Sequence, residues 1–375
     1  DAALRSGPAK YAAARRFKMP RIKAAFETFV AKRRLRSPAF NRFLNANEHW
    51  LPDWCEDQPG DPDEHAFVQF MLERQWNRLR RYAAKQGIGF IGDVPIFVHA
   101  DSVDVRRRPE LFRLDRNGNP TVVTGVPPDG FCKNGQLWGH PHYRWASHRK
   151  EQFAWWVDRF RLAIGRFDAI RVDHFIGFVR LYEVAANAKT ARRGTWRRTP
   201  GRELLETLRR ELGPLPLIAE DLGEVTPAVR RLRDDFDLPG MRIVQWAFFE
   251  DDSPELPRNH PRRSVCYPGT HDNDTTRGWY RSLPPDAKVR FRQHTGCQRV
   301  ADVAWSMIDL CMDSPAECCI IPMQDVLNLG SAARMNRPGT PRGNWRWRMD
   351  AHATAPLARR MRATAARRSS MLPRP

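Results

Sequence analysis

From residue 88 onwards, short apolar segments alternate with segments that place apolar side chains at helical spacing. The apolar segments cover residues 88–98, 167–173, 215–221, 241–249, 264–272 and 318–326. The segments with helical spacing cover residues 150–164, 202–212, 227–236 and 302–312. Continuous apolar strands between amphipathic helices are typical of a parallel sheet covered by helices. The alternation therefore predicts an α/β fold, either a doubly wound sheet or a (β/α)8 barrel.

Polar side chains at the ends of the predicted strands favour the barrel. Asp173 ends one strand, Glu220 lies near the end of the next, and His271 and Asp272 end a third. Catalytic groups drawn from the carboxyl ends of several strands are characteristic of (β/α)8 enzymes. Six strands are predicted, two fewer than a complete barrel contains.

The rest of the chain predicts insertions around this barrel. We expect a catalytic barrel over residues 1–350, with loop or helical insertions at about 20–85, 99–150 and 180–200. The stretch 99–145 is rich in Pro, Gly, Asp and Asn and is predicted to be irregular, as long functional loops are. A basic tail, residues 351–375, is predicted to form a short helix or to be disordered.

Composition narrows the class of protein. The chain of 375 residues has 63 Lys and Arg against 43 Asp and Glu, a formal net charge of +20. A nucleic-acid binder is one explanation, but the arginines are scattered and favour exposed helix faces instead. The seven Cys lack metal-ligand spacing. No apolar run approaches the length of a membrane span, and no signal peptide is visible, so we expect a cytoplasmic protein without membrane or nucleic-acid partners.

The segment "FDAIRVDHFIGF", residues 167–178, places charges inside an apolar strand. Side chains alternate faces along a strand, so Arg171 and Asp173 share one face while Ile170 and Val172 share the other. Burying a charge removes it from water and costs on the order of several kcal/mol unless the charge is paired. We therefore expect Arg171 to pair with Asp173 and to hold it ionised and oriented, as a nucleophile requires.

The carboxylates of Asp173, Glu220 and Asp272 together suggest a charged intermediate such as a glycosyl oxocarbenium ion. Taken singly, each of them is better explained as a member of a structural ion pair. A metal site is the rival interpretation of the cluster, since ligand types occur nearby, although no spacing such as HExxH supports it. The residues of ligand type are His99, Asp101, His174, His271 and Asp272. No Gly-rich phosphate loop such as GxGxxG follows a predicted strand, and there is no GxSxG elbow.

Eight motifs, read together, are more specific than any of these residues alone. In chain order they are "GDVPIFV", "PTVVTGVPPDGF", "GQLWGHPHYRW", "FDAIRVDHFIGF", "IAEDLGEVTPAV", "LPGMRIVQWAF", "GTHDNDTTRGWY" and "IPMQDVLNLGSAARMNRPGTPRGNWRWR". From about residue 10 to 350 the chain resembles the 4-alpha-glucanotransferases, also called amylomaltases or disproportionating enzymes of glycoside hydrolase family 77.

The resemblance implies a retaining (β/α)8 barrel of the alpha-amylase-related type that moves a segment of an α-1,4-glucan to another glucan. By motif, Asp173 matches the nucleophile, Glu220 the general acid/base, and Asp272 the third carboxylate. Arg171 matches the arginine that orients the nucleophile, and His271 a donor to sugar hydroxyls. Desolvation and the charge of Asp173 are expected to raise the pKa of Glu220, which must be protonated to act as an acid.

Further residues are implied to bind malto-oligosaccharides and other α-1,4-glucans. Asp129, Gln136 and Trp138 match the family's glucan-binding loop, and Trp138 is expected to stack on an acceptor glucose. Asn336 matches another sugar contact, and Asp93 resembles a strand-end aspartate shared with the amylase relatives. The chemistry requires no cofactor and no metal.

The sequence departs from the family in four places. The family's first segment, with two barrel strands, is not found, so we expect the first two strands to be missing. Ile176 stands where many relatives have Arg, Gly130 where many have Tyr, and His140 where many have Asn. The alternative to an active transferase is therefore a truncated, inactive glucan-binding remnant.

Overall fold

The computed structural model describes residues 4, 6–128, 132–340, 342–349 and 355–371. In these residues, the ten strands are β1 (Ile91–Val94), β2 (Val122–Val126), β3 (Gln136–Pro141), β4 (Ala169–Val172), β5 (Arg180–Ala185), β6 (Thr195–Arg198), β7 (Leu217–Ala219), β8 (Gly240–Ile243), β9 (Ser264–Tyr267) and β10 (Cys318–Cys319). The fourteen α-helices of the same residues are α1 (Tyr11–Ala31), α2 (Pro38–Ala46), α3 (Leu51–Asp57), α4 (Pro62–Ala84), α5 (Val103–Arg107), α6 (Trp145–Lys150), α7 (Ala154–Arg166), α8 (Gly201–Leu212), α9 (Pro227–Asp235), α10 (Thr276–Ser282), α11 (Pro285–Thr295), α12 (Val303–Met312), α13 (Met323–Val326) and α14 (Ala355–Met371).

Each of the six predicted strands exists, but each is shorter than its apolar run. The segment 241–249 is a strand only to Ile243 and continues as a 3-10 helix. The segment 318–326 pairs only at Cys318–Cys319, because Pro322 follows and the chain turns into α13. Proline has no N–H for a sheet ladder, so it ends the strand.

The prediction that residues 99–145 are irregular is wrong. This stretch contains α5, β2 and β3, and β2 and β3 join β5 and β6 in an antiparallel sheet of order β3-β2-β5-β6. The strands are short and bounded by Gly and Pro, which concealed them in the sequence. The expected insertion at 180–200 thus supplies two strands, and the basic tail contains the helix α14.

The chain divides into two compact units, and residues 15–238 form one of them. In this unit β4 lies between β1 and β7, parallel to both. Ile170 and Val172 are fully buried, as predicted from strand alternation, and pack in a core that includes Trp156 and Phe160. Thr226 caps α9 by accepting a hydrogen bond from the Val229 N–H at 3.4 Å.

The other unit consists of residues 1–14 and 239–375. Here β9 lies between β8 and β10, again parallel to both. Phe248 and Phe291 are fully buried in its core. Buried Arg368 of α14 donates to the carbonyls of Met312, the last residue of α12, and of Ser314 just beyond it, at 3.1 and 2.9 Å.

The predicted α/β fold with parallel strands is confirmed. Asp173 and Glu220 directly follow β4 and β7, whereas β9 ends at Tyr267, so His271 and Asp272 lie in a turn beyond it and not at the strand end as predicted. None of the helices in the described part of the chain is long and apolar enough to cross a membrane.

Candidate active site

The guanidinium of Arg171 joins two carboxylates at the end of β1 and β4. Asp93 and Arg171 are register partners in these parallel strands. Arg171 donates from Nε and Nη2 to the two carboxylate oxygens of Asp93, at 3.0 and 2.9 Å. The same Nη2 donates to Asp173 Oδ1 at 2.8 Å. The expected Arg171–Asp173 pair therefore exists, and Asp93 is its second anchor.

The hydrogen bonds from Arg171 to Asp93 and Asp173, here called the fork, are strengthened by burial. The side chain of Arg171 is 14% exposed, whereas those of Asp93 and Asp173 are 52% and 44% exposed. Burial alone would lower the pKa of Arg171, but the hydrogen bond and charge of Asp93, with the charges of Asp173 and Glu220, outweigh it and raise the pKa. Arg171 is thus a permanent cation that fixes the position of the Asp173 carboxylate.

Glu220 follows β7 and turns back to the segment after β4. Its backbone N–H donates to the Val172 carbonyl at 3.1 Å, and its Oε2 accepts from the His174 backbone N–H at 2.6 Å. Desolvation and then the charge of Asp173 raise the pKa of Glu220 well above its ordinary value, against the opposing effects of Arg171 and the His174 N–H. The site thereby favours the protonated form of Glu220 beside the carboxylate of Asp173.

His174 connects the two strand ends through its backbone. Its φ of 51° and ψ of 52° are left-handed, a conformation that aims the N–H at Glu220. Burial lowers the pKa of its side chain to about 4, so the imidazole is neutral at pH 7. The ring packs edge-on against Trp138, with centroids 4.9 Å apart. Sequence analysis considered His174 only as a possible metal ligand and missed the backbone donor, because no residue pattern reports a backbone direction.

Two of the predicted glucan-binding residues lie on β3 beside this cluster. Trp138 donates from Nε1 to Gln136 Oε1 at 3.3 Å, and its ring lies 6.0 Å from that of Phe97. The aromatic contacts to Phe97 and His174 hold the indole in place. Asp129 lies outside the described residues.

The remaining predicted residues form a second cluster in the other unit. Asn336 Nδ2 donates to Asp272 Oδ1 at 2.6 Å, and His271 Nε2 lies 3.5 Å from the same oxygen. The Asn336 backbone N–H donates to the His271 carbonyl at 3.1 Å. Arg334 Nη2 donates to the Asp272 carbonyl at 2.6 Å. The "THDN" and "ARMN" motifs are therefore in direct contact.

Sequence analysis missed Arg334 and Trp345 in this cluster. The Trp345 ring lies 5.2 Å from the His271 ring and is 46% exposed, and the Trp345 N–H donates to the Met335 carbonyl at 2.7 Å. Trp345 stands in a run of Trp and Arg, "NWRWR", in which nothing marks one tryptophan as different. An exposed indole beside a carboxylate suits a sugar, whose C–H face stacks while its hydroxyls bond.

The described residues contain no group of three or more His, Cys, Asp or Glu side chains arranged to hold a metal ion. The five residues that suggested a metal site therefore do not form such a group. His271 and Asp272 lie in one unit, and His99, Asp101 and His174 in the other.

The sequence of this chain is similar to those of several known proteins. A family model described as 4-alpha-glucanotransferase matches residues 53–354. The 4-alpha-glucanotransferase of Thermus thermophilus is 46% identical over 293 residues, covering 76% of this chain and 59% of the relative. The chloroplastic/amyloplastic 4-alpha-glucanotransferase of Arabidopsis thaliana is 42% identical over 313 residues, covering 83% and 54%. The chain thus spans somewhat over half the length of these relatives.

Solved structures agree with the sequence relatives. The amylomaltase of Streptococcus agalactiae in complex with acarbose superposes with a TM-score of 0.90 at 30% identity, covering 97% of this chain and 80% of that one. The amylomaltase of Corynebacterium glutamicum has a TM-score of 0.69 at 19% identity, covering 89% and 56%, which supports the fold alone.

Proposed function

Because this chain belongs to the 4-alpha-glucanotransferase family, glycoside hydrolase family 77, we propose that it transfers a segment of an α-1,4-glucan to the 4-hydroxyl of glucose or of another glucan. One observation carries this proposal. Arg171 fixes the Asp173 carboxylate at 2.8 Å, while desolvation and the Asp173 charge keep the neighbouring Glu220 protonated. Retaining glycoside chemistry needs this combination of nucleophile and acid.

In the first step, an Asp173 carboxylate oxygen attacks the anomeric carbon of the donor glucan. The bond from that carbon to the glycosidic oxygen breaks, and the Glu220 proton passes to the leaving oxygen. A covalent glycosyl-enzyme and an ionised Glu220 result. The cation Arg171 remains hydrogen-bonded to Asp93 throughout, so the nucleophile is oriented without a change in the protonation of the fork.

In the second step, the 4-hydroxyl of an acceptor glucan attacks the same carbon. Its proton passes to Glu220, the bond to Asp173 breaks, and two inversions give net retention of configuration. The pKa of Glu220 is raised in part by the charge of Asp173. Esterification of Asp173 removes that charge, which lowers the pKa of Glu220 when it must next act as a base.

We assign the remaining residues to the glucan by the family motifs and their contacts. Asp272 is proposed to bind sugar hydroxyls and to favour the distorted ring, with His271 and Asn336 beside it. Trp138, supported by Gln136 and His174, is proposed to stack on the acceptor glucose and to keep water from the intermediate. Asp129 is proposed as a further glucan contact on family resemblance alone.

The parallel strands of the chain are proposed to be strands of a (β/α)8 barrel of the alpha-amylase-related type. The support is the likeness to the Streptococcus agalactiae amylomaltase and the position of Asp173 and Glu220 after parallel strands. The mechanism uses only side chains of the protein, and no step is assigned to a cofactor.

Incubation with maltotriose tests the proposal. The expected products are glucose and malto-oligosaccharides longer than maltotriose, separated by chromatography, and Asp173→Asn should abolish both. Asp158→Asn, which changes a half-buried aspartate paired with Arg161 on α7, is the matched control and should retain activity. Glucose and maltose without longer products would indicate a hydrolase, and unchanged turnover by Asp173→Asn would refute its role.

A further inference from the structure

A cavity of about 580 Å³ lies beside the antiparallel sheet of the unit formed by residues 15–238. Four arginines line it, namely Arg113, Arg144, Arg197 and Arg198, together with one acidic residue, Glu183. None of the residues assigned above to the glucan reaction belongs to its lining. The volume lies within the range of small-molecule sites, which is roughly 300–1,000 Å³.

The lining carries more positive charge than its single carboxylate can neutralise. Glu183, with a side chain 11% exposed, accepts hydrogen bonds from Arg113 and, at 3.2 Å, from Arg197 Nε. A guanidinium has five N–H donors, so this bonding leaves both cations with donors to spare. Glu183 therefore fixes two guanidinium groups at the cavity, and Arg144 and Arg198 add two more charges. Clustered guanidinium groups in a concave surface attract a dianion and bind it bidentately.

Another part of the lining is aromatic. Tyr143 and Trp145 contribute to it, with ring centroids 5.1 Å apart. Tyr143 is anchored by its hydroxyl, which donates to the Ile96 carbonyl at 2.5 Å, and Trp145 stacks on buried Trp156 at 6.1 Å. A rigid aromatic wall is suited to the apolar face of a sugar ring. Thr121 and Thr199 also line the cavity, and their hydroxyls donate to the backbone carbonyls of Arg113 and Gly177.

From this combination we propose that the cavity binds the phosphomonoester of a monosaccharide, with the phosphate on the arginines and the sugar ring against Trp145, which the buried ring of Tyr143 supports from below. The four guanidinium groups exceed the charge of Glu183 and attract the dianion of a phosphomonoester. Glu183 and the threonine hydroxyl oxygens can accept hydrogen bonds from sugar hydroxyls. This proposal is independent of the glucan reaction.

Calorimetric titration and thermal melts with glucose 6-phosphate test it, with glucose and inorganic phosphate as parallel probes. Glucose 6-phosphate should bind at one site, raise the Tm and lose affinity as salt is added, because charged contacts are screened. Inorganic phosphate should bind at least tenfold more weakly, because it lacks the aromatic contact, and glucose should not bind at this site.

Variants localise the binding. Arg197→Gln/Arg198→Gln should weaken glucose 6-phosphate binding about tenfold or more, the effect of losing one or more charge-assisted hydrogen bonds. Both side chains are exposed at the end of β6, so the melt of the free variant should match that of the unmodified protein. Arg231→Gln, at an exposed arginine of α9 outside the lining, is the matched control and should bind normally.

Three results would overturn the proposal. The first is absence of glucose 6-phosphate binding, and the second is an equal affinity for inorganic phosphate. The third is loss of binding in Asp173→Asn with retention in Arg197→Gln/Arg198→Gln, which would assign the ligand to the proposed glucan site instead.

Discussion

Replacing Arg171 by lysine tests the electrostatic core of the proposed mechanism. Lysine keeps the positive charge but replaces a planar fork by a single ammonium group. Arg171 makes three hydrogen bonds of 2.8–3.0 Å, two to Asp93 and one to Asp173. A lysine ammonium cannot reproduce the bidentate contact with Asp93 and hold Asp173 at the same time. We therefore expect a nucleophile that is still beside a cation but is no longer fixed.

The expected magnitude follows from these contacts. A hydrogen bond to a charged group contributes about 1.5–3 kcal/mol, and the Arg171 side chain is only 14% exposed. Losing the oriented contact to Asp173 should therefore reduce kcat by about 10- to 150-fold. The Asp93 contact joins β1 to β4, so a lowered Tm is also expected.

The assay is the initial rate of glucose release from maltotriose, measured with the thermal melt of the same samples. Asp93→Asn separates the two roles, because it weakens the fork while leaving the bond from Arg171 to Asp173 intact. We expect it to lower the Tm with a smaller loss of kcat than Arg171→Lys. If Arg171→Lys retains kcat within twofold of the unmodified protein, the fork does not position the nucleophile and the reasoning is refuted.

Four further predictions concern Glu220, Trp138 and Asp325. Glu220→Gln should lower the transfer rate from maltotriose by about 10²–10⁴-fold. Formation of the glycosyl-enzyme from α-glucosyl fluoride should survive, because the fluoride leaving group needs no proton. Equal losses with both donors would contradict the acid role. In the unmodified protein, kcat/KM should fall as pH rises through the raised pKa of Glu220, and Glu220→Gln assayed with the fluoride should lack that limb. Trp138→Ala should increase the ratio of hydrolysis to transfer, measured as free glucose against longer oligosaccharides, and an unchanged ratio would exclude it from acceptor binding. Buried Asp325 has a pKa raised by desolvation to about 6, so the unmodified protein should lose about 2 kcal/mol of unfolding free energy relative to Asp325→Asn between pH 4 and pH 7, with a constant difference across that range contradicting the shift.

The sequence predicted the six parallel strands because each is a short apolar run between helices of clear periodicity. It also predicted that Arg171 would meet Asp173, since two residues two apart on a strand share a face. It did not predict the bidentate contact with Asp93, because register between β1 and β4 depends on long-range pairing that no local pattern encodes.

The antiparallel sheet and the lining of the arginine cavity escaped prediction for the same reason. Arg113, Arg197 and Glu183 lie on separate parts of the chain and meet only once β2, β5 and β6 pair. From the sequence alone, the scattered arginines therefore indicate exposed positions on helix faces and not a shared cavity. A composition-level argument counts charges, but only the folded sheet shows which of them share a cavity.

One guanidinium has opposite consequences for two carboxyl groups. Arg171 bonds directly to Asp173, whereas its effect on Glu220 is purely through charge and is smaller than desolvation and the charge of Asp173. The direct hydrogen bond fixes Asp173 as an oriented anion. The weaker charge effect on Glu220 leaves the pKa of that carboxyl raised. Because the backbone N–H of His174 binds Glu220 at 2.6 Å, and Glu220 in turn pairs with Val172, the end of β4 determines both environments. A single strand end thereby separates the proposed nucleophile from the proposed acid, which explains why the charges of "RVDH" occupy an otherwise apolar segment.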